Sequence, residues 1–81
     1  MKSARQEEII AYIHNEMVQA KNKGLAEVTL VSGEIHNHLG YTDRMPSVCQ
    51  AMYKCMDSKD VIMHSTPSGM SSTITIKYFI D

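Results

Sequence analysis

Residues 34–40 read EIHNHLG, and two imidazoles beside a carboxylate raise metal chemistry first. Helical zinc sites space their histidines three or four residues apart, so that both side chains leave one face. His36 and His38 are two apart, which in a helix sends them to nearly opposite sides. His14 and His64 lie in other segments. The contiguous H-N-H also lacks the long ββα spacing of the nuclease class that shares those letters. The stretch predicts two surface histidines on a short helix, with no metal and no cofactor.

The other reactive side chains offer little. Cys49 and Cys55 are six apart without a CxxC, so they form neither a redox motif nor a zinc knuckle. Cys49 falls beside an apolar helical stripe, a position that suits a buried thiol better than a nucleophile. No P-loop, GxSxG, HExxH or dinucleotide fingerprint is present. The expectation is a protein that is not an enzyme.

A third group fits recognition chemistry. In TDRMPSVCQAMYKCM (42–56), Val48, Met52, Cys55 and Met56 fall on one side of a helical projection, with Cys49 and Ala51 flanking. Asp43, Ser47, Gln50 and Lys54 gather opposite. Arg44 can bond bidentately to guanine O6 and N7, and Gln50 to adenine N6 and N7. Ser47 and Lys54 suit phosphates. Asp43 at the entry opposes close phosphate approach unless it caps the helix. Lys77, near the end of the chain, completes the expected DNA contacts.

These side chains need elements to hold them. At 81 residues, 43% hydrophobic and 21% charged, the sequence suits one small folded domain spanning 1–81. Ile9, Ile10, Ile13, Met17 and Ala20 form an apolar helical stripe that Gly24 ends, and Ser3 with Gln6 has the capping-box form. Val28–Val31 reads as a brief strand. Ser32 is the expected N-cap of a second helix over Gly33–Leu39, which Gly40 closes. Pro46 marks the first turn of a third helix. Val61–His64 and the alternating stretch Ser72–Ile80 read as two strands around the turn-rich loop STPSGMSS.

Helix, short strand, helix, turn, helix and long hairpin is an order that resembles a winged helix-turn-helix domain, an α+β fold with three helices, a short strand and a C-terminal β-hairpin wing. Ile35, Leu39 and Gly40 resemble that motif's two apolar residues followed by a turn glycine, and Val48 and Ala51 its next anchors. The stretches VSGEIH, RMPSVCQAM and PSGMSSTITIKY resemble small bacterial winged-helix domains found alone or attached to restriction-type nucleases. The resemblance implies a DNA-contacting or DNA-sensing role.

Charge and hydropathy bound that role. Eight Lys and Arg against nine Asp and Glu give a net charge of −1, whereas a free-standing nucleic-acid binder is usually basic. DNA binding must rest on where the charges lie, and the loop tip carries no Arg or Lys. The runner-up is a protein-interaction module on the same fold; a specificity subunit for a separate nuclease would combine both roles. Tyr12 and Val18 suggest a homodimer seam along the first helix, and Met70 a partner contact, with the other methionines filling the core. No run of eighteen apolar residues and no signal-peptide core occur, so a cytoplasmic protein with reduced cysteines is expected.

Overall fold

The computed structural model describes residues 5–80. In chain order the elements are α1 (Arg5–Asn22), β1 (Glu27–Val31), α2 (Ser32–His38), α3 (Met45–Lys54), β2 (Val61–His64) and β3 (Thr75–Phe79). Three helices thus accompany one antiparallel sheet in the order β1–β3–β2. None of the helices is long and apolar enough to cross a membrane.

Both helix ends that the sequence marks with glycine close in the same way. At the end of α1, Leu25 N–H donates to Ala20 O (3.0 Å) and Gly24 N–H to Lys21 O (2.9 Å). At the end of α2, Tyr41 N–H donates to His36 O (3.2 Å) and Gly40 N–H to Asn37 O (3.1 Å). Gly24 (φ 80°) and Gly40 (φ 69°) take the left-handed conformation this closure needs, which costs a residue with a Cβ about 1–2 kcal/mol. The capping box at the other end of α1 falls partly on Ser3, outside the described residues. Gln6, its second member, spends its side-chain amide on α3 (below).

Ser32 is not the cap it is expected to be. Val31 is the N-cap of α2, no side chain caps it, and Ser32 is the first helical residue, fully buried. Its N–H donates to Ile74 O and the N–H of Gly33 to Ser72 O, each at 2.9 Å. The Ser32 hydroxyl donates to Ser71 O at 2.6 Å. Backbone carbonyls just ahead of β3 therefore take the orphan donors of the helix start, the role expected of a side chain. This explains why β3 is shorter than the predicted 72–80 strand: residues 72–74 turn out of the ladder to meet α2.

β3 is the central strand. It pairs with β1 from Glu27↔Phe79 to Val31↔Thr75, and with β2 at Val61↔Lys77, Ile62↔Ile76 and His64↔Thr75, with a bulge between Ile62 and His64. Ile76 and Tyr78 are fully buried, while Thr75, Lys77 and Phe79 alternate to the outer face. Ile74, Ile76, Tyr78 and Leu30 meet Ile9, Ile13, Ile35, Val48 and Met52 in one core. The Tyr78 hydroxyl donates to Met52 O at 2.7 Å, joining the sheet to α3. Met70 is half-buried and packs against this core, whereas Met63 on β2 is exposed.

A Cβ on Gly33 would stand 2.8 Å from Ser72 O, a backbone atom that cannot swing aside. Gly33→Ala should therefore lower unfolding stability by about 1–3 kcal/mol, the ordinary range for overpacking. Urea denaturation followed by far-UV circular dichroism measures it, and an unchanged midpoint would refute the close approach.

Candidate nucleic-acid interface

α3 begins at Arg44, its N-cap, and carries Pro46 in the first turn. Val48, Cys49, Ala51 and Met52 are buried, so the helix keeps one outward strip containing Ser47, Gln50 and Lys54. Two flanks hold it. On the α1 side, Gln6 donates from Nε2 to Gln50 Oε1 (2.9 Å) and accepts at Oε1 from Lys54 Nζ (2.7 Å). On the loop side, the Tyr53 hydroxyl donates to Gly69 O (2.7 Å) and the Cys49 thiol to Ser71 O (3.4 Å). The loop between β2 and β3 is thereby anchored to α3 and differs from a free hairpin tip. Its own hydroxyls bond internally, Ser71 with Thr73 at 3.0 Å and Ser68 with Met70 N–H at 3.2 Å.

The predicted contacts separate into two groups. Arg44, Ser47, Gln50 and Lys54 lie along one edge of α3, all exposed except half-buried Ser47. Lys77 does not join them. It projects from the outer face of the sheet, opposite the buried Tyr78 that reaches α3. There its Nζ sits 3.5 Å from the Glu27 carboxylate and 5.9 Å from the centre of the Phe79 ring. Strand alternation causes this: with Ile76 and Tyr78 turned inward, residue 77 must face outward.

Asp43 is no cap either. No side chain caps α3, and Asp43 instead holds the turn at φ 55°, a conformation that Asp tolerates better than most residues. The residue that does tie the turn is His36, whose Nε2 accepts from the Arg44 backbone N–H at 3.1 Å. His38 goes elsewhere, with Nδ1 3.1 Å from Glu34 O and its ring against Tyr12. The two imidazoles diverge, as their spacing requires. Among the described residues, no group of three or more His, Cys, Asp or Glu is placed to hold a metal ion.

The remaining reactive groups are quiet. Burial pushes both thiols above the ordinary cysteine range; at Cys49 the Ser32 hydroxyl acts the other way without overcoming it. A groove of about 250 Å³ opens at the far end of α1, lined by Met17, Val18, Lys21, Cys55 and Phe79 among others. Val18 is 54% exposed, whereas Tyr12 is half-buried and packs against the core.

Sequence reasoning missed Gln6, His36, Tyr53 and Ser71 as the groups that position α3. Tyr53 carried a legible signal, because it lies one turn beyond Cys49 on the same helical stripe. The others depend on partners distant in sequence. Comparison with family models, with curated proteins and with solved structures finds no match to this chain.

Tyr78 supplies a pH test of how α3 is seated. Burial raises its phenol well above the ordinary tyrosine range, with the Cys55, Asp60 and Tyr53 charges adding in the same direction. A raised folded-state value means that its contribution is fully present below about pH 10, the unfolded value, and is lost as pH rises towards the folded one. Ultraviolet titration should show Tyr78 ionising only as the chain unfolds. Tyr78→Phe should cost about 0.5–1.5 kcal/mol at neutral pH for its lost hydrogen bond. Ionisation of all four tyrosines in the folded protein would contradict the burial.

Proposed function

We propose that this chain is a winged helix-turn-helix domain that binds duplex DNA, as a transcriptional regulator or a DNA-specificity module, with α3 entering the major groove. The observation that carries the reading is α3 itself. Seated on the core through Val48, Cys49, Ala51 and Met52 and tied to the loop before β3, it presents Gln50 and Lys54 outward with Ser47 beside them and Arg44 at its start. The helix order and the strand order β1–β3–β2 support the same architecture.

Arg44 and Gln50 are the base readers, Ser47 and Lys54 the phosphate contacts. The bonds from Gln6 to Gln50 and Lys54 are exposed, and an exposed bond of this kind exchanges for water or ligand at about 1 kcal/mol or less. Both side chains are therefore free to turn to DNA. Lys77 stands apart on the outer sheet face and takes no part. The loop contributes hydroxyls and amides without charge, so the electrostatic share of binding is small, in keeping with a net charge of −1.

A second reading draws on β2. Val61, Ile62 and Met63 are 45%, 44% and 53% exposed on an edge strand, a surface to which an extended segment of a protein partner could add. Val18 on α1 is the corresponding point for a homodimer through the first helix.

Fluorescence anisotropy against a random duplex library separates the readings. Arg44→Ala or Gln50→Ala should cost about 1–3 kcal/mol on a selected site, and Lys54→Ala should weaken all sequences alike. With Lys54 the one cation assigned to phosphate, log affinity should fall with log salt at a slope of about −1. Absence of binding at about 50 mM salt, where phosphate contacts are strong, would remove the DNA reading and leave the β2 edge as the functional surface.

A further inference from the structure

We propose that His36 is a proton-sensitive positioning residue for α3: its neutral ring holds the entry to that helix, and a protonated ring releases it. The Arg44 N–H donates to His36 Nε2 at 3.1 Å. A ring nitrogen that accepts carries no proton, so this imidazole is neutral with its hydrogen on Nδ1. Protonation places donors on both nitrogens and leaves no acceptor, and the bond is lost.

Arg44 is where that loss matters. Its carbonyl accepts from Val48 N–H at 3.1 Å, the first bond of the α3 ladder. Its N–H is the point at which α2 grips the turn. The preceding residue, Asp43, holds φ 55°, a left-handed conformation that is uncommon outside glycine and that Asp tolerates better than most residues. No side chain caps α3, so the His36 ring supplies the turn's tie from the α2 side. It does so from within the stretch EIHNHLG, which otherwise shows no chemistry.

The surroundings of the ring act in both directions. Tyr41 stands edge-on with its ring centre 6.0 Å away and donates its hydroxyl to Glu8 of α1. The charged groups nearest in the fold are the Glu8 carboxylate, reached through Tyr41, and the guanidinium of Arg44 itself. Asp43 adds a second anion in the turn, Glu34 leaves α2 on the opposite side, and Met45, Pro46 and Ser47 in the first turn of α3 carry no titratable group.

The functional consequence rests on the DNA-binding reading. Protonated histidines ordinarily add positive charge and strengthen phosphate binding. Here acidification also frees the entry to the base-reading helix, so affinity for a selected site falls relative to a protein whose residue 36 cannot titrate. The sign is opposite to that of charge alone.

Nitrogen-15 NMR of the full chain tests this from about pH 8 to about pH 5, with His36→Gln as the non-titrating acceptor. In the unaltered protein, the Arg44 amide should shift with the same midpoint as the His36 ring, and its exchange protection should drop at least tenfold. In His36→Gln it should stay flat, with affinity at neutral pH retained and the acid loss reduced several-fold. The inference is overturned if the Arg44 amide does not follow the His36 ring, a measurement that needs no variant. It is equally overturned if His36→Gln keeps the original pH profile, which would assign the effect to His14, His38 or His64. Failure of both proteins to bind DNA at any pH would defeat the DNA reading alone, because the amide titration still decides the switch.

Discussion

Three backbone carbonyls, those of Ser71, Ser72 and Ile74, hold the rest of the molecule in register. They receive the Ser32 hydroxyl, the Gly33 N–H and the Ser32 N–H at 2.6–2.9 Å. Ser71 O also takes the Cys49 thiol. One short segment before β3 thus fixes the start of α2 and touches the buried side of α3. A buried donor without a partner costs about 1–3 kcal/mol, so this junction tolerates no alternative pairing. Among the described residues, every buried side-chain nitrogen or oxygen has a partner. The absence of a Cβ at residue 33 lets the two backbones come this close.

The elements legible in the sequence are those whose signal is local. The stripe Ile9, Ile13, Met17 and Ala20 follows from helical periodicity, and Ile9, Ile13 and Ala20 are buried. Gly24 and Gly40 close their helices through bonds spanning five residues, well within a local pattern. The alternation of Ile74, Ile76 and Tyr78 marked the buried face of β3, but its length was overread because nothing near Ser72 says that its carbonyl serves α2. Ser32 looks like a cap for the same reason: serine before a helix is a local sign, and its true partner is 39 residues away. The pairing of β1 with β3 was equally hidden, since the strands are separated by both shorter helices.

The interface shows the same division. The outward strip of Ser47, Gln50 and Lys54 was readable from a helical projection. Lys77 stands on the sheet face away from α3 because its neighbours Ile76 and Tyr78 are buried. The spacing of His36 and His38 bears only on whether they share an ion, and nothing local in the sequence marks the His36 ring nitrogen as the acceptor for the backbone at the start of the next helix.

Polar contacts around α3 differ in what it costs to exchange them. Toward the core, the Tyr78 hydroxyl bonds Met52 O in a buried site and the Cys49 thiol bonds Ser71 O in a part-buried one, and breaking the first leaves a buried hydroxyl without a partner. Toward solvent, Gln6 holds Gln50 and Lys54 by bonds that water replaces readily. The helix is therefore firmly held on its core side and exchangeable on its solvent side, the combination the proposed recognition surface requires. The β2 edge lacks it. Its apolar side chains are exposed, but the bulge between Ile62 and His64 interrupts the strand, and a bulge twists an edge away from continuous pairing. Four residues broken by a bulge offer a partner strand few aligned backbone bonds. The balance of the structure thus favours the α3 edge, where rigid support and exchangeable side chains coincide.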